Sequence, residues 1–254
     1  MRGLFIAGTD TGVGKTLVAV SLVRALAARG LAVAAMKPVA AGAARTPQGP
    51  RNEDALALAA AATVAAPYER VNPYCLRAPV SPHIAAAQEG VSIDVALIVQ
   101  RFGELAHHAD CVIVEGAGGW LTPIDERQTL ADVARALSLP VVLVVGLRLG
   151  CLNHALLSAR AIEADGLRLA GWIGNAIDPE LERTAENVAT LERRLGCAPL
   201  ALVSHLNRRA ERTSAVARAP DGPQLETGVA LSPGASEALF ALCSRGAPRA
   251  ARGA

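Results

Sequence analysis

The sequence predicts an α/β fold: a mostly parallel sheet with helices on both faces. Three observations carry this. Short apolar runs alternate with longer segments of helical spacing. The residues directly after each run are glycine-rich or polar, as at the ligand-bearing edge of a parallel sheet. The length of 254 residues suits one large α/β domain better than two small ones.

The apolar runs are Leu4–Ala7, Ala32–Met36, Cys111–Val114, Val141–Val145, Leu169–Ile173 and Leu200–Val203. Between them, helical spacing covers Lys15–Ala28, Glu53–Ala62, Ile93–His107, Leu130–Leu137, Asn153–Ala164 and Pro179–Leu195. A last helix, roughly Ala235–Cys243, closes the domain. Gly42–Asn52, Ala66–Val91 and Val203–Ser232 read as irregular excursions over one core rather than linkers. The domain therefore spans residues 1–245, and the tail at 246–254 has no apolar periodicity and reads as disordered.

Composition narrows the function classes. Aromatics are only 3%, so the core is aliphatic and finely packed. A net charge of +2 with no basic stripe argues against nucleic acid as a partner. Five scattered cysteines, with no C-x-x-C pair, speak against a disulfide framework or zinc ribbon and fit the cytoplasm. The longest nearly apolar stretch, Leu56–Pro67, falls short of the ~20 residues of a membrane span, so no membrane partner is expected. The opening MRGLFIAG reads as a first strand, not a signal peptide.

The first run is followed by GTDTGVGKT, residues 8–16. Such a loop cradles phosphates with backbone N–H groups, and the helix after it points its positive end at the same place. Gly12, Val13, Gly14, Lys15, Thr16 and Leu17 are the nucleotide-binding candidates here. Lys15 would reach the β- and γ-phosphates, and the Thr16 hydroxyl would meet Mg²⁺. The spacing departs from the strict G-x-x-x-x-G-K-[ST] pattern, because Thr9 stands where the first glycine is expected. A single P-loop NTPase domain is the fold that follows.

Mg²⁺ on a triphosphate needs further oxygens. Glu115 ends the run CVIVEG, where a Walker-B acid would sit, and Gly116, Ala117 and Gly118 follow it at the same edge. Asp54 opens a helix after the second strand's loop; a plain helix-start acid is the alternative reading. Lys37 follows the second strand. Alone it would be a solvated strand end; beside a P-loop it is a second cation for the γ-phosphate. Lys37 and Lys15 are thus the catalytic candidates, and Thr16, Asp54 and Glu115 the metal candidates. Two lysines and Mg²⁺ at one phosphoryl group suggest transfer to an acceptor that is already an anion and needs no general base. His83, His107, His108, His154 and His205 are scattered and read as surface or helix residues.

GTDTGVGKT, MKPVAAG, Asp54, SPHIAA, VEGAGGWLTP, LGCLNHALL and GWIGNAID stand in the order seen in the dethiobiotin synthetase family, which this chain resembles from about Arg2 to Asn207. The resemblance implies a ligase that uses ATP, CO₂ and 7,8-diaminononanoate, passes through a carbamate and a carbamic-phosphoric anhydride, and releases dethiobiotin, ADP and phosphate. It implies that Lys37 contacts the carbamate and γ-phosphate and that Thr11 hydrogen-bonds the carbamate. Asn175 would read the adenine, with Ser204, His205 and Leu206 nearby. Ala41, Ser81 and Thr122 would line the substrate site. Gly150, Cys151, Leu152 and Asn153 would hold the substrate's carboxylate tail across a homodimer interface; structurally these four could be only a strand–helix turn. Ala41 replaces a common family serine, Gly12 stands where some members have Glu, and Ser204 replaces a proline. The base-reading loop is thereby altered, so ATP is the default among NTPs.

Two rivals share the scaffold. Amidoligases carry a glutaminase domain with a nucleophilic Cys, for which this chain has no room and no G-x-C-x-G elbow. Regulatory or partitioning ATPases usually carry a Lys at the start of the P-loop, where this chain has Gly8, Thr9 and Asp10.

Overall fold

The computed structural model describes residues 3–205 and 233–244. Six strands form the central sheet: β1 (Gly3–Gly8), β2 (Val33–Met36), β7 (Cys111–Glu115), β8 (Val141–Leu147), β9 (Leu169–Ala176) and β10 (Ala201–Val203). Their order is β10-β9-β8-β1-β7-β2, and every pairing is parallel. All six coincide with the apolar runs read from the sequence.

Both faces are covered, so both sets of alternating side chains are buried. From β1, Phe5 and Ala7 enter one core with Ile98, Phe102, Leu137, Ile162 and Leu191. Leu4 and Ile6 enter the other with Val18, Leu22, Leu58 and Leu239. Two-sided burial makes a strand read as an unbroken apolar run. The first core packs under α5 (Val95–His108), α6 (Leu130–Leu137), α7 (Cys151–Ala164) and α8 (Thr184–Leu195); the second packs under α1 (Lys15–Ala28), α2 (Glu53–Ala61) and α9 (Pro233–Ser244).

β1 lies between β7 and β8. From β1 the chain crosses to β2 on one side, and from β7 it crosses over β1 to β8 on the other. That reversal opens a crevice at the carboxyl end of β1, where α/β proteins bind ligands. The P-loop falls in it.

The segments expected to be irregular are more ordered than their sequence suggests. Residues 42–52 hold an antiparallel hairpin of β4 (Ala44–Thr46) and β5 (Gly49–Arg51). Residues 66–91 hold α3 (Tyr68–Val71), β6 (Tyr74–Leu76) and α4 (Pro82–Glu89). β6 pairs in parallel with β3 (Val39–Ala41), the segment directly after Lys37 and Pro38. Three-residue strands are too short to carry a period, so only pairing reveals them.

Helix starts moved where caps set them. The Asp94 carboxylate accepts from Ala96 N–H at 2.8 Å, so α5 begins at Val95 rather than Ile93. α7 begins at Cys151, two residues earlier than expected, after Gly150 at φ +93°. α8 begins at Thr184 instead of Pro179, because Asp178 closes a turn onto Glu180 N–H at 3.0 Å. Leu206, most of Val203–Ser232 and the tail at 246–254 lie outside the described residues.

Candidate active site

The P-loop turns on two glycines. Gly12 and Gly14 sit at φ +74° and +91°, a region that costs side-chain-bearing residues about 1–2 kcal/mol. A Cβ at Gly14 would lie 2.2 Å from Asn175 Nδ2. Val13 fills the core below, buried between the two. Asn175, at the end of β9, donates from Nδ2 to the Val13 carbonyl at 2.9 Å. It is therefore packed against the underside of the loop.

Lys15 turns its ammonium back across the crevice. Nζ donates to the carbonyls of Asp10 (2.8 Å) and Gly118 (2.7 Å), joining the P-loop to the turn after β7. Burial, then the nearby Lys37 charge, lower its pKa from 10.5 to about 8, against the opposing pull of Glu115, Asp54 and Asp10.

Glu115, at the end of β7, is fully buried. Its Oε1 accepts from Thr16 Oγ1 at 2.9 Å and from Lys37 Nζ at 2.5 Å. Lys37 Nζ also reaches Asp54 Oδ2 at 3.0 Å and the Gly116 carbonyl at 3.1 Å. Thus Lys37, Asp54, Glu115 and Thr16 meet from four separate elements. Burial works against the Lys37 charge, but Glu115 and Asp54 overcome it and hold the ammonium above its usual range. Burial also pushes Asp54 up, yet Lys37 outweighs it and the carboxyl lies below its usual range. Full burial pushes the Glu115 carboxyl up against the pull of Lys37, so its charge depends on the cation beside it.

These residues fit a hard divalent cation. Among the described residues Glu115 Oε2 is buried with no hydrogen-bond partner, and the Thr16 hydroxyl and Asp54 carboxylate add oxygen donors beside it.

The crevice opens into a cavity of about 750 Å³. Thr11, Gly12, Gly14, Lys15, Thr16 and Leu17 form one wall, and Lys37, Asp54, Glu115, Ala117 and Gly118 the floor. Ala41, Ser81 and Thr122 line the far side with Asn52 and Pro79. Among the described residues no histidine lines it.

Two groups of expected site residues lie elsewhere. Ser204 and His205 are exposed beyond β10, where the His205 ring contacts the Ala176 carbonyl at 3.1 Å. Gly150, Cys151, Leu152 and Asn153 do not line this cavity. The Cys151 side chain is buried in the core and its N–H donates to the Arg148 carbonyl at 3.0 Å, closing the turn from β8 into α7.

Several contributors escaped sequence reasoning. Asp10 had no role; its carboxylate pairs with Arg148 and accepts from Thr11 N–H at 2.7 Å, pinning the loop to the β8 edge. Asn52 caps α2, with Oδ1 accepting from Asp54 N–H (3.1 Å) and Ala55 N–H (3.3 Å). Asn-Glu-Asp before an apolar run is a legible cap signal for Asn52. Arg148, distant in sequence, offered none.

A family model described as "AAA domain" matches residues 2–213. The chain is 53% identical over 191 residues to the ATP-dependent dethiobiotin synthetase BioD of Xanthomonas oryzae, covering 75% of this chain and 85% of that protein. It is 50% identical over 206 residues to the protein of the same name from Vibrio vulnificus, covering 81% and 91%. Among solved structures, the MinC:MinD cell division protein complex of Aquifex aeolicus matches with TM-score 0.55 at 16% identity, covering 96% of this chain and 95% of that one. A ParA family ATPase from Chlorobium tepidum matches with TM-score 0.52 at 12% identity, covering 96% and 100%. At these identities the structural likeness speaks for the fold alone.

Proposed function

This chain belongs to the ATP-dependent dethiobiotin synthetase family and is a ligase of biotin synthesis, and from that premise we propose how its residues carry out the reaction. 7,8-Diaminononanoate takes up CO₂ on one amine as a carbamate. A carbamate oxygen attacks the γ-phosphorus of ATP, forming a carbamic-phosphoric anhydride and releasing ADP. The second amine attacks the carbonyl carbon, the ureido ring closes, and phosphate leaves with the carbamate oxygen.

The observation that carries this reading is the placing of Lys37. It stands between the P-loop and the wall formed by Ala41, Ser81 and Thr122, on two carboxylates in one cavity. Thr16, Asp54 and Glu115 would hold Mg²⁺, which would neutralise phosphate charge when bound. Lys37 would then exchange its carboxylate partners for the carbamate and γ-phosphoryl oxygens. Lys15 would trade two backbone carbonyls for phosphate oxygens. Thr11, exposed at the cavity mouth, would hydrogen-bond the carbamate. A preformed anionic nucleophile explains why no histidine base is needed at the cavity.

Gly12, Val13, Gly14 and Leu17 shape the nucleotide side, with Gly116, Ala117 and Gly118 opposite. Asn175, Ser204 and His205 are assigned to the adenine side. The substrate tail would reach the turn at Gly150–Asn153 of a second subunit. A homodimer is supported by exposed leucines on that side of the crevice: Leu149 is 92% exposed, Leu121 60% and Leu157 57%. Leu121 and Leu157 also line a shallow second cavity of about 370 Å³.

The mechanism is tested with ¹⁸O-labelled bicarbonate. Transfer of one label into inorganic phosphate is the expected result. Unlabelled phosphate formed alongside dethiobiotin would remove the anhydride.

A further inference from the structure

Lys37 and Asp54 meet at 3.0 Å, yet neither belongs to the P-loop. Lys37 directly follows β2 and Asp54 lies in the first turn of α2. Something outside the loop must hold these two elements in register.

The hydrogen bonds converge on Tyr68. Its hydroxyl accepts from Asn52 N–H at 2.8 Å and donates to Asn72 Oδ1 at 3.0 Å. Asn52 in turn caps the helix that carries Asp54. Asn72, almost fully buried, donates from Nδ2 to the Lys37 carbonyl at 2.7 Å and to the Tyr74 carbonyl at 3.2 Å. Lys37 N–H donates to the Val71 carbonyl at 2.7 Å, so α3 holds that residue from both sides of its backbone. Arg51 stacks over the Tyr68 ring at 4.2 Å, and Cys75 Sγ lies 3.4 Å from the hydroxyl. Burial and the Cys75 contact push the phenol pKa up, which keeps its proton in place as a donor.

We infer that Tyr68 is a positioning residue: one hydroxyl ties the Asn52 cap of α2 to the Asn72 clamp on Lys37 and so sets Asp54 against Lys37 and Glu115. The inference rests on the metal role proposed above for Asp54 and Glu115. Outer groups of this kind orient ligands without touching the metal. Tyr68→Phe keeps the ring and its stacking and removes only the joint.

The test is Mn²⁺ binding to the enzyme–ADP complex, read by electron paramagnetic resonance, beside ADP affinity measured without metal. In Tyr68→Phe the Mn²⁺ dissociation constant rises on the order of tenfold, while metal-free ADP affinity is unchanged because the P-loop is untouched. Wild-type Mn²⁺ affinity in a Tyr68→Phe protein, whatever its melting temperature, overturns the inference. Glu115→Gln is the control and loses Mn²⁺ in either case. Wild-type enzyme that binds Mn²⁺ no better than free ADP does would instead sink the metal reading, and the inference with it. Should Tyr68→Phe fail to fold, 3-fluorotyrosine at position 68 weakens the acceptor and keeps the shape. A smaller shift in the same direction supports the inference, and no shift overturns it.

Discussion

Lys37 Nζ lies 2.5 Å from Glu115 Oε1, with both side chains buried, at the point where β2, β7 and the P-loop helix converge. A buried ion pair contributes little net stability, but removing one partner strands the other charge. Its value here is geometric: it stores the lysine beside the place where phosphoryl transfer would occur.

Lys37→Ala should therefore abolish dethiobiotin formation while ADP binding survives, because Lys15 and the loop N–H groups remain. Without metal, the stranded Glu115 should lower stability by about 3–5 kcal/mol. Added Mg²⁺ should recover part of the loss, which melting curves with and without the ion would show. Near-normal turnover in this variant would remove Lys37 from the mechanism.

The Lys15 ammonium gives a pH dependence whose sign is fixed. Its pKa falls from 10.5 unfolded to about 8 folded. Below pH 8 the fold bears the whole cost of charging a buried lysine, and that cost is relieved as pH rises from about 8 toward 10.5. Lys37, Glu115, Asp54 and Asp10 are the charges that face it. Bound phosphates favour the charged form, so ADP binding should take up a proton at pH values above about 8 and weaken as pH climbs. Calorimetry in buffers of different ionisation heat measures this; binding without proton uptake there would contradict it.

The two P-loop glycines should respond differently. Gly14→Ala adds a Cβ 2.2 Å from Asn175 Nδ2 to a left-handed backbone. Gly12→Ala bears only the backbone strain, because none of the described residues comes within 4 Å of its Cβ. Gly12→Ala should lose about 1–2 kcal/mol of stability, and Gly14→Ala more, with ADP affinity falling at least tenfold further in the second. Equal effects in thermal melts and ADP titrations would mean that the Asn175 contact does not matter.

The proposed dimer is tested at its exposed rim. Leu157→Glu should yield monomers by light scattering and lose product formation, with ADP affinity intact. A monomeric wild type, or a monomeric variant with full activity, would rule out a shared site.

The fold and the centre of the site were legible because their signals are local. Unbroken apolar runs reported two-sided burial, and GVGKT after the first run placed Lys15 and Thr16. Glu115 was legible for a similar reason, as a carboxylate ending an apolar strand. The pairing of β3 with β6 was not, since three residues carry no period. Nor was the Asp10–Arg148 pair, whose members stand 138 positions apart, or the bond from Asn72 to the Lys37 carbonyl, 35 positions away. Such contacts exist only once the chain has closed. The expected proximity of Lys37 to phosphate also missed its resting partners, because charge pairing across elements leaves no mark in either segment.

The central claim is that the γ-phosphoryl group goes to a carbamate of 7,8-diaminononanoate. Incubation with ¹³C-bicarbonate, Mg²⁺, ATP and the diamine, followed by mass spectrometry, tests it most directly. Labelled dethiobiotin formed only when ATP and diamine are both present is the predicted result. ATP hydrolysis independent of the diamine, with no labelled product, would contradict it and favour a regulatory or partitioning ATPase on the same scaffold.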